Sequence, residues 1–160
     1  MKAEIITGDL LDSPTKYIAH QCNCISQNSA GVAKSIFNRF PFADTYQNRT
    51  EPDQLGSIKV LGNGIDQRFV INMFSQYYPG SPKYPDSATD GLKSRERHFH
   101  RCLLKISQIP NLETIAFPWK IGCNLAGGDW KFYLGTINNF AEYVDKHQQA
   151  KVIIFRREFD

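Results

Sequence analysis

Residues 117–130 constrain the chain more than any other stretch. An apolar run of strand character, 113–117, leads into Pro118-Trp119-Lys120-Ile121-Gly122-Cys123-Asn124-Leu125-Ala126-Gly127-Gly128, and Asp129 closes the loop where a helical pattern begins at Trp130. Glycine lets backbone N–H groups crowd against a ligand, and a helix N-terminus favours negative charge. The stretch therefore reads as a strand, an anion-sized loop and a helix start. Asp129 is open to two readings. It is a favoured N-cap residue, and it is also a chemically competent carboxylate beside an anion site. The glycine spacing fits neither G-x-G-x-x-G nor G-x-x-x-x-G-K-[ST], so the mechanisms of those two motifs do not apply.

The rest of the composition sets broad limits. A length of 160 residues suits one domain, 1–160, with a sizeable core. Hydrophobic content of 41% and charged content of 22% disfavour both disorder and membrane spanning. No secretory apolar segment follows Met1-Lys2, so Cys22, Cys24, Cys102 and Cys123 are expected to be free thiols in a reducing cytoplasm. Cys22-x-Cys24 lacks the spacer of zinc knuckles, and His98-x-His100 places alternate residues on different helix sides, so no metal is expected. A net charge of +3, dispersed along the chain, makes no case for nucleic-acid binding by itself.

In chain order, residues 4–7 and 17–22 read as strands ending in polar tips at Gly8-Asp9 and Asn23. A small-residue loop, 26–31, feeds a helix that starts near Gly31 and stops before Pro41, and 44–49 suggest a further short helix. Residues 56–61 and 68–74 form a hairpin around Gly62-Asn63-Gly64, the second strand central because its apolar run is nearly continuous. The Pro/Tyr-rich segment 75–85 is either a flap over a site or a solvent-exposed connector. A helix capped by Ser87 or Thr89 runs to about Ile106, with Leu92, Phe99, Leu103 and Ile106 on its core face and Arg95, Arg97 and Arg101 on a solvated one. A helix over 130–147 and a strand over 151–155 complete the chain. Alternating strands and helices predict a mixed sheet covered on both faces. The loops at Gly8-Asp9, 23–31 and 121–129 then meet at one sheet edge, where an elongated ligand with phosphates in its middle fits.

The same residues carry a family resemblance. Gly8-Asp9-Leu10-Leu11, His20-x-Cys22-Asn23, Ala30-Gly31-Val32-Ala33 and Pro118-x-x-Ile121-Gly122-Cys123-x-Leu125-Ala126-Gly127-Gly128-Asp129-Trp130 resemble the macrodomain family, and within it the branch of ADP-ribose-1″-phosphate phosphatases and ADP-ribosyl hydrolases. The motifs occur in the right order over essentially the whole chain. The resemblance implies a three-layer α/β/α fold with a mixed, mostly parallel central sheet, an ADP-ribose cleft, and no cofactor. By the same resemblance, Asp9 beside Leu10 accepts from the adenine amino group and Asn23 binds the distal ribose. Ala30, Gly31 and Val32 with Ile121, Gly122, Cys123, Asn124 and Leu125 wrap the diphosphate and distal ribose. Phe155 packs either on the adenine or in the core. Asp129 and His20 are the expected catalytic pair, holding a water between them, although a lone His in an apolar strand also reads as a structural hydrogen-bonder.

Members that remove ADP-ribose from glutamate or DNA bases carry a lysine just after the central strand, at a position that falls on Gln76 here. An amide cannot form the covalent sugar adduct that an amine can, and Lys83, in the flap, is the nearest lysine to replace it. The implied activity is hydrolysis of ADP-ribose-1″-phosphate to ADP-ribose and phosphate. Its alternatives are removal of ADP-ribose from protein or nucleic acid and non-catalytic reading of ADP-ribose. The expected partners are small-molecule ADP-ribose derivatives and ADP-ribosylated macromolecules, with no membrane and a monomeric chain.

Overall fold

The apolar runs of the sequence become strands of a single sheet. The structure, a computed structural model, describes residues 2–160. Strands β1 (Glu4–Thr7), β2 (Tyr17–Asn23), β3 (Ser57–Leu61), β4 (Phe69–Gln76), β5 (Thr114–Pro118) and β6 (Lys151–Arg156) lie in the order β1-β6-β5-β2-β4-β3. Every neighbouring pair is parallel except β3 with β4. Helix α1 (Gly31–Arg39) covers one face, and α2 (Leu92–Ser107) with α3 (Trp130–Gln148) covers the other.

Two-residue periodicity sorts the central strands between these layers. Tyr17 and Ala19 of β2 and Ile71 and Met73 of β4 pack with Phe99 and Leu103 of α2 and with Ile137 and Val144 of α3. Ile18, Cys22, Val70 and Phe74 point the other way, onto Ile36 and Phe37 of α1. Both faces of β4 are buried, which is why its sequence reads as an unbroken apolar run. The result is a three-layer α/β/α sandwich with a mixed, mostly parallel sheet. Its five parallel strands all end at one edge, so the segments after β1, β2, β4, β5 and β6 converge there.

Several local expectations change. Residues 44–49 are not helical: a 3-10 turn, Pro41–Ala43, is followed by a turn in which Asp44 Oδ1 accepts from the Tyr46 and Gln47 N–H groups at 2.9 and 3.2 Å. The carboxylate offers the backbone a local partner that competes with helix. Asn63-Gly64 does not form a two-residue hairpin turn. It sits in a longer connection, where Asn63 Oδ1 accepts from Ile65 N and Gln67 N at 2.8 and 3.1 Å. Helix α2 begins after Gly91, and Ser87 Oγ caps a separate turn by accepting from Thr89 N and Asp90 N. On that helix Leu92 is exposed while Arg95 is buried at 2% exposure, a reversal of the expected faces. Arg97 and Arg101 are exposed. Among the described residues no helix is long and apolar enough to cross a membrane, and all four cysteines are free.

Because Ile71 is wholly buried between β4 and the α2/α3 layer, Ile71→Ala is expected to cost about 2–5 kcal/mol. The partly exposed Val60 on edge strand β3 should cost well under half of that when truncated. Urea denaturation of the two variants checks the difference.

Candidate active site at the strand edge

Where the strands end, the structure has an elongated cleft of two joined lobes. The inner lobe, about 410 Å³, lies between the N-terminus of α1, the turn after β4 and the loop after β5. The outer lobe, about 180 Å³, is bordered by Asp9, Leu10 and Phe155. Asp9 is exposed and caps a short 3-10 turn, with Oδ1 accepting from Leu11 N at 2.9 Å. Leu10 is buried, and Phe155 both joins the α1-side core and borders the outer lobe.

The inner wall is built from backbone. Ala30 at the N-cap of α1 provides no side-chain cap, so the first-turn N–H groups of Gly31, Val32 and Ala33 have no helical partner and present the positive end of the helix dipole to the cleft. Gly31 has φ +58°, and a Cβ there would come within 2.9 Å of Leu125 Cδ1. Across the cleft, Ile121 N and Cys123 N donate within the loop's own turn, to Pro118 O at 3.2 Å and Lys120 O at 2.9 Å. Those two N–H groups are therefore spent. The N–H groups of Gly122, Asn124 and Leu125 make no hydrogen bond among the described residues. Gly122, at φ +78°, packs so closely that a Cβ would lie 2.6 Å from Tyr133 Cε1.

Asn23, at the end of β2, borders the inner lobe. Its Oδ1 accepts from Ile25 N and Ser26 N at 3.1 and 2.8 Å, which fixes the amide and leaves Nδ2 without a partner among the described residues. Beside it, Gln76 Nε2 donates to the Tyr78 carbonyl at 2.8 Å, so Gln76 Oε1 accepts from Gln21 Nε2 at 2.5 Å. This orients the unpartnered Gln21 Oε1 beneath Gly122. Lys83 does not border the cleft; it is exposed, with Nζ 5.7 Å from the Tyr84 ring centre.

The expected catalytic pair is not assembled. His20 lies beneath the inner lobe at 0% exposure, in register with Asn72 of β4. Asn72 Nδ2 donates to Ala43 O and Thr45 Oγ1, so its Oδ1 is the acceptor for His20 Nε2–H at 2.7 Å. Burial pushes the imidazole down from 6.5 to about 4, against a smaller upward effect of that bond. It is a neutral bridge between the two central strands. Asp129 is the exposed N-cap of α3, accepting from Lys131 N at 3.1 Å, and does not border either lobe. It does lie close enough to Cys123 for its charge to reinforce burial in pushing that thiol up to about 12.

Arg95 carries a role that helical periodicity does not reveal. Its Nε and NH2 donate to the two Asp90 oxygens at 3.1 and 2.7 Å. NH1 donates to Gly80 O and Ala126 O at 2.6 and 3.4 Å, and NH2 to Tyr78 O at 3.2 Å. All five guanidinium donors are thereby used. Asp90 in turn accepts from Tyr77 N and Tyr78 N at 2.6 and 3.2 Å. One buried ion pair thus ties the turn after β4 to the loop after β5, and Ser81 Oγ adds a bond to Leu125 O at 3.1 Å. With Pro79 and Gly80 bordering the inner lobe, segment 75–85 forms a wall of the cleft.

No protein-family model and no curated protein matches the sequence. Solved structures do match in fold. The chain is similar to the macrodomain of Thermus aquaticus DarG, with TM-score 0.68 and 21% identity over 96% of this chain and 97% of that one. It is also similar to the macrodomain of Mycobacterium tuberculosis DarG, with TM-score 0.64 and 19% identity over 96% and 97% of the two chains. A Trypanosoma brucei macrodomain in complex with ADP-ribose matches with TM-score 0.62 and 16% identity, over 96% of this chain and 62% of that one. The fold is that of macrodomains.

Two outcomes follow from the buried polar groups. Arg95→Met strands the Asp90 carboxylate, which is only 6% exposed. The expected loss is about 3–5 kcal/mol, read by urea denaturation, together with faster amide exchange in 77–81 and 119–128; Arg97→Met should do neither. For His20, the folded state resists protonation, so the unfolded chain binds more protons between pH 6.5 and about 4. Stability is full above pH 6.5 and declines as pH falls toward 4, by about 3 kcal/mol from this group. His20→Gln should flatten that part of the stability–pH curve.

Proposed function

We propose that this chain binds ADP-ribose and hydrolyses derivatives of it, ADP-ribose-1″-phosphate in the first place. The observation that carries the reading is the two-lobed cleft with an uncapped helix N-terminus between its ends. A nucleoside with an exocyclic amine suits the outer lobe, where Asp9 Oδ2 is free to accept and Phe155 supplies an apolar surface. The diphosphate then lies between the first turn of α1 and the N–H groups of Gly122, Asn124 and Leu125, where oriented dipoles stabilise negative charge. The distal ribose reaches the inner lobe, with Asn23 Nδ2 as a donor to its hydroxyls.

For hydrolysis, Asp129 is the proposed general base. Its side chain is exposed and held by one local hydrogen bond, and hydrogen bonds in unliganded sites commonly rearrange when substrate binds. His20 serves by fixing the floor of the cleft through Asn72 rather than by moving a proton. Gln76 stands at the position where the lysine adduct forms in the family, and the lysine that does line the inner lobe, Lys120, lies across the cleft in the loop after β5, which supports phosphomonoester hydrolysis over a lysine adduct. One observation favours a second reading, a non-catalytic ADP-ribose reader: no Asp or Glu borders the inner lobe.

Calorimetric titration with ADP-ribose and phosphate release from ADP-ribose-1″-phosphate, run side by side, separate these readings. The expected result is saturable binding and turnover, with Asp129→Ala lowering turnover at least ~100-fold while binding stays within a few-fold. Binding with no phosphate release, even at enzyme concentrations that saturate, leaves the reader. Release of ADP-ribose from modified protein or DNA under the same conditions would move the substrate to a macromolecule.

A further inference from the structure

The two lobes share a neck formed by Val32, Ser35, Pro118, Trp119, Asn124 and Arg157. Arg157, just beyond β6, is the one charged residue of the six. Its side chain is already posed as an oxyanion fork: Nε donates to Asp160 Oδ2 at 3.2 Å and NH2 to Asp160 Oδ1 at 3.0 Å. The Arg157 backbone N–H adds a bond to Oδ2 at 3.1 Å. The guanidinium lies 4.7 Å from the centre of the Phe159 ring, and the Asp9 charge adds to the field that favours the cation there. Asp160 itself borders the outer lobe. Its carboxylate therefore sits where it satisfies the cation at the neck of the cleft.

We propose that Arg157 is the diphosphate-binding cation of the cleft and that Asp160 is its built-in competitor, an inference that rests on the ADP-ribose reading above. Two non-bridging oxygens of a phosphate present the guanidinium with the same bidentate geometry as a carboxylate. Ligand entry exchanges the intramolecular carboxylate for a ligand phosphate. The Arg157 side chain is 61% exposed, so it is free to make that turn. Arg156 does not compete for this role. Its guanidinium lies 4.6 Å from the Trp119 ring centre and donates to the Asp160 main-chain oxygen at 2.9 and 3.3 Å, which keeps the 156–160 turn in place while Arg157 changes partner. The exchange sets the resting affinity of the cleft for any ligand bridged by phosphates, and leaves ligands without phosphate unaffected.

The partners of one ion pair should then affect binding in opposite directions, which a merely structural pair would not do. Titrating the full chain with ADP-ribose, Asp160→Ala is expected to tighten binding on the order of 3-fold to 10-fold. Arg157→Gln should weaken it about 10-fold and flatten its salt dependence. The double variant should behave as Arg157→Gln, and adenosine affinity should not show the opposite-signed responses that ADP-ribose shows. If ADP-ribose binds wild type but Asp160→Ala leaves affinity unchanged or weaker, the competition is overturned. If Arg157→Gln leaves it unchanged, or weakens adenosine equally, the phosphate role is overturned. Inorganic pyrophosphate separates this inference from the functional reading. Pyrophosphate binding that responds to both substitutions in a protein that ignores ADP-ribose sinks the functional reading and keeps the site. A protein that binds neither sinks both.

Discussion

The cleft depends on the ion pair between Arg95 and Asp90. Parallel sheets deliver loops to one edge, but loops have few apolar contacts of their own and must be tied to something rigid. Here the anchor is the first turns of α2. A guanidinium with all five donors occupied reaches carbonyls of residues 78, 80 and 126, and its carboxylate partner receives the N–H groups of Tyr77 and Tyr78. Burial of both charges is tolerable only because each is fully hydrogen-bonded. The pair therefore acts as a joint: it makes the turn after β4 and the loop after β5 into facing walls of one cavity.

A second polar joint works in the opposite layer. His20 and Asn72 are register partners on β2 and β4, and they face α1 among Ile18, Cys22, Val70 and Phe74. Two polar side chains in that layer are acceptable because Nε2–H, Oδ1 and the Asn72 amide protons each find a partner, the last reaching Ala43 and Thr45. The connection pins the segment after α1 to the sheet. An imidazole so placed is valuable for its shape and its single tautomer, and its neutrality at physiological pH is a consequence of that burial.

What could be read from the residues divides along a physical line. The strands, the three helices and the convergence of loops at one edge follow from periodicity and from the rule that ligands bind beyond the C-terminal ends of parallel strands. Asp9, Asn23, Gly31 and the 121–125 loop sit at chain positions those rules point to, and they border the cleft. Arg95 escaped because periodicity sorts side chains into faces by polarity, whereas a guanidinium with matching carbonyls is stable in the interior. His20 and Asp129 are expected as a pair from the family resemblance together with their acid/base chemistry. Spacing along a sequence does not tell whether an imidazole lies above or below the sheet surface, or whether a carboxylate after a loop turns toward the ligand or back to its helix. Arg157 carried a usable signal, since it follows a parallel strand at the ligand edge.

The division also explains why so little identity preserves so much shape. A cleft whose inner walls are helix-terminal and loop N–H groups asks of its sequence only that glycine stand where the backbone turns left-handed or approaches closely, as at Gly31 and Gly122. Side chains can then diverge to 21% identity or below while the fold is kept, at TM-scores of 0.68 and 0.62. Selectivity must come from the few positions where a side chain enters that backbone frame. At the inner end these are Asn23 and the amide relay of Gln21 and Gln76, which offer hydrogen bonds, while the amine of that lobe, Lys120, stands on the opposite wall in the loop after β5. At the neck it is Arg157, the one charged side chain shared by the two lobes. In such a cleft the backbone sets the frame, and these side chains set its polarity.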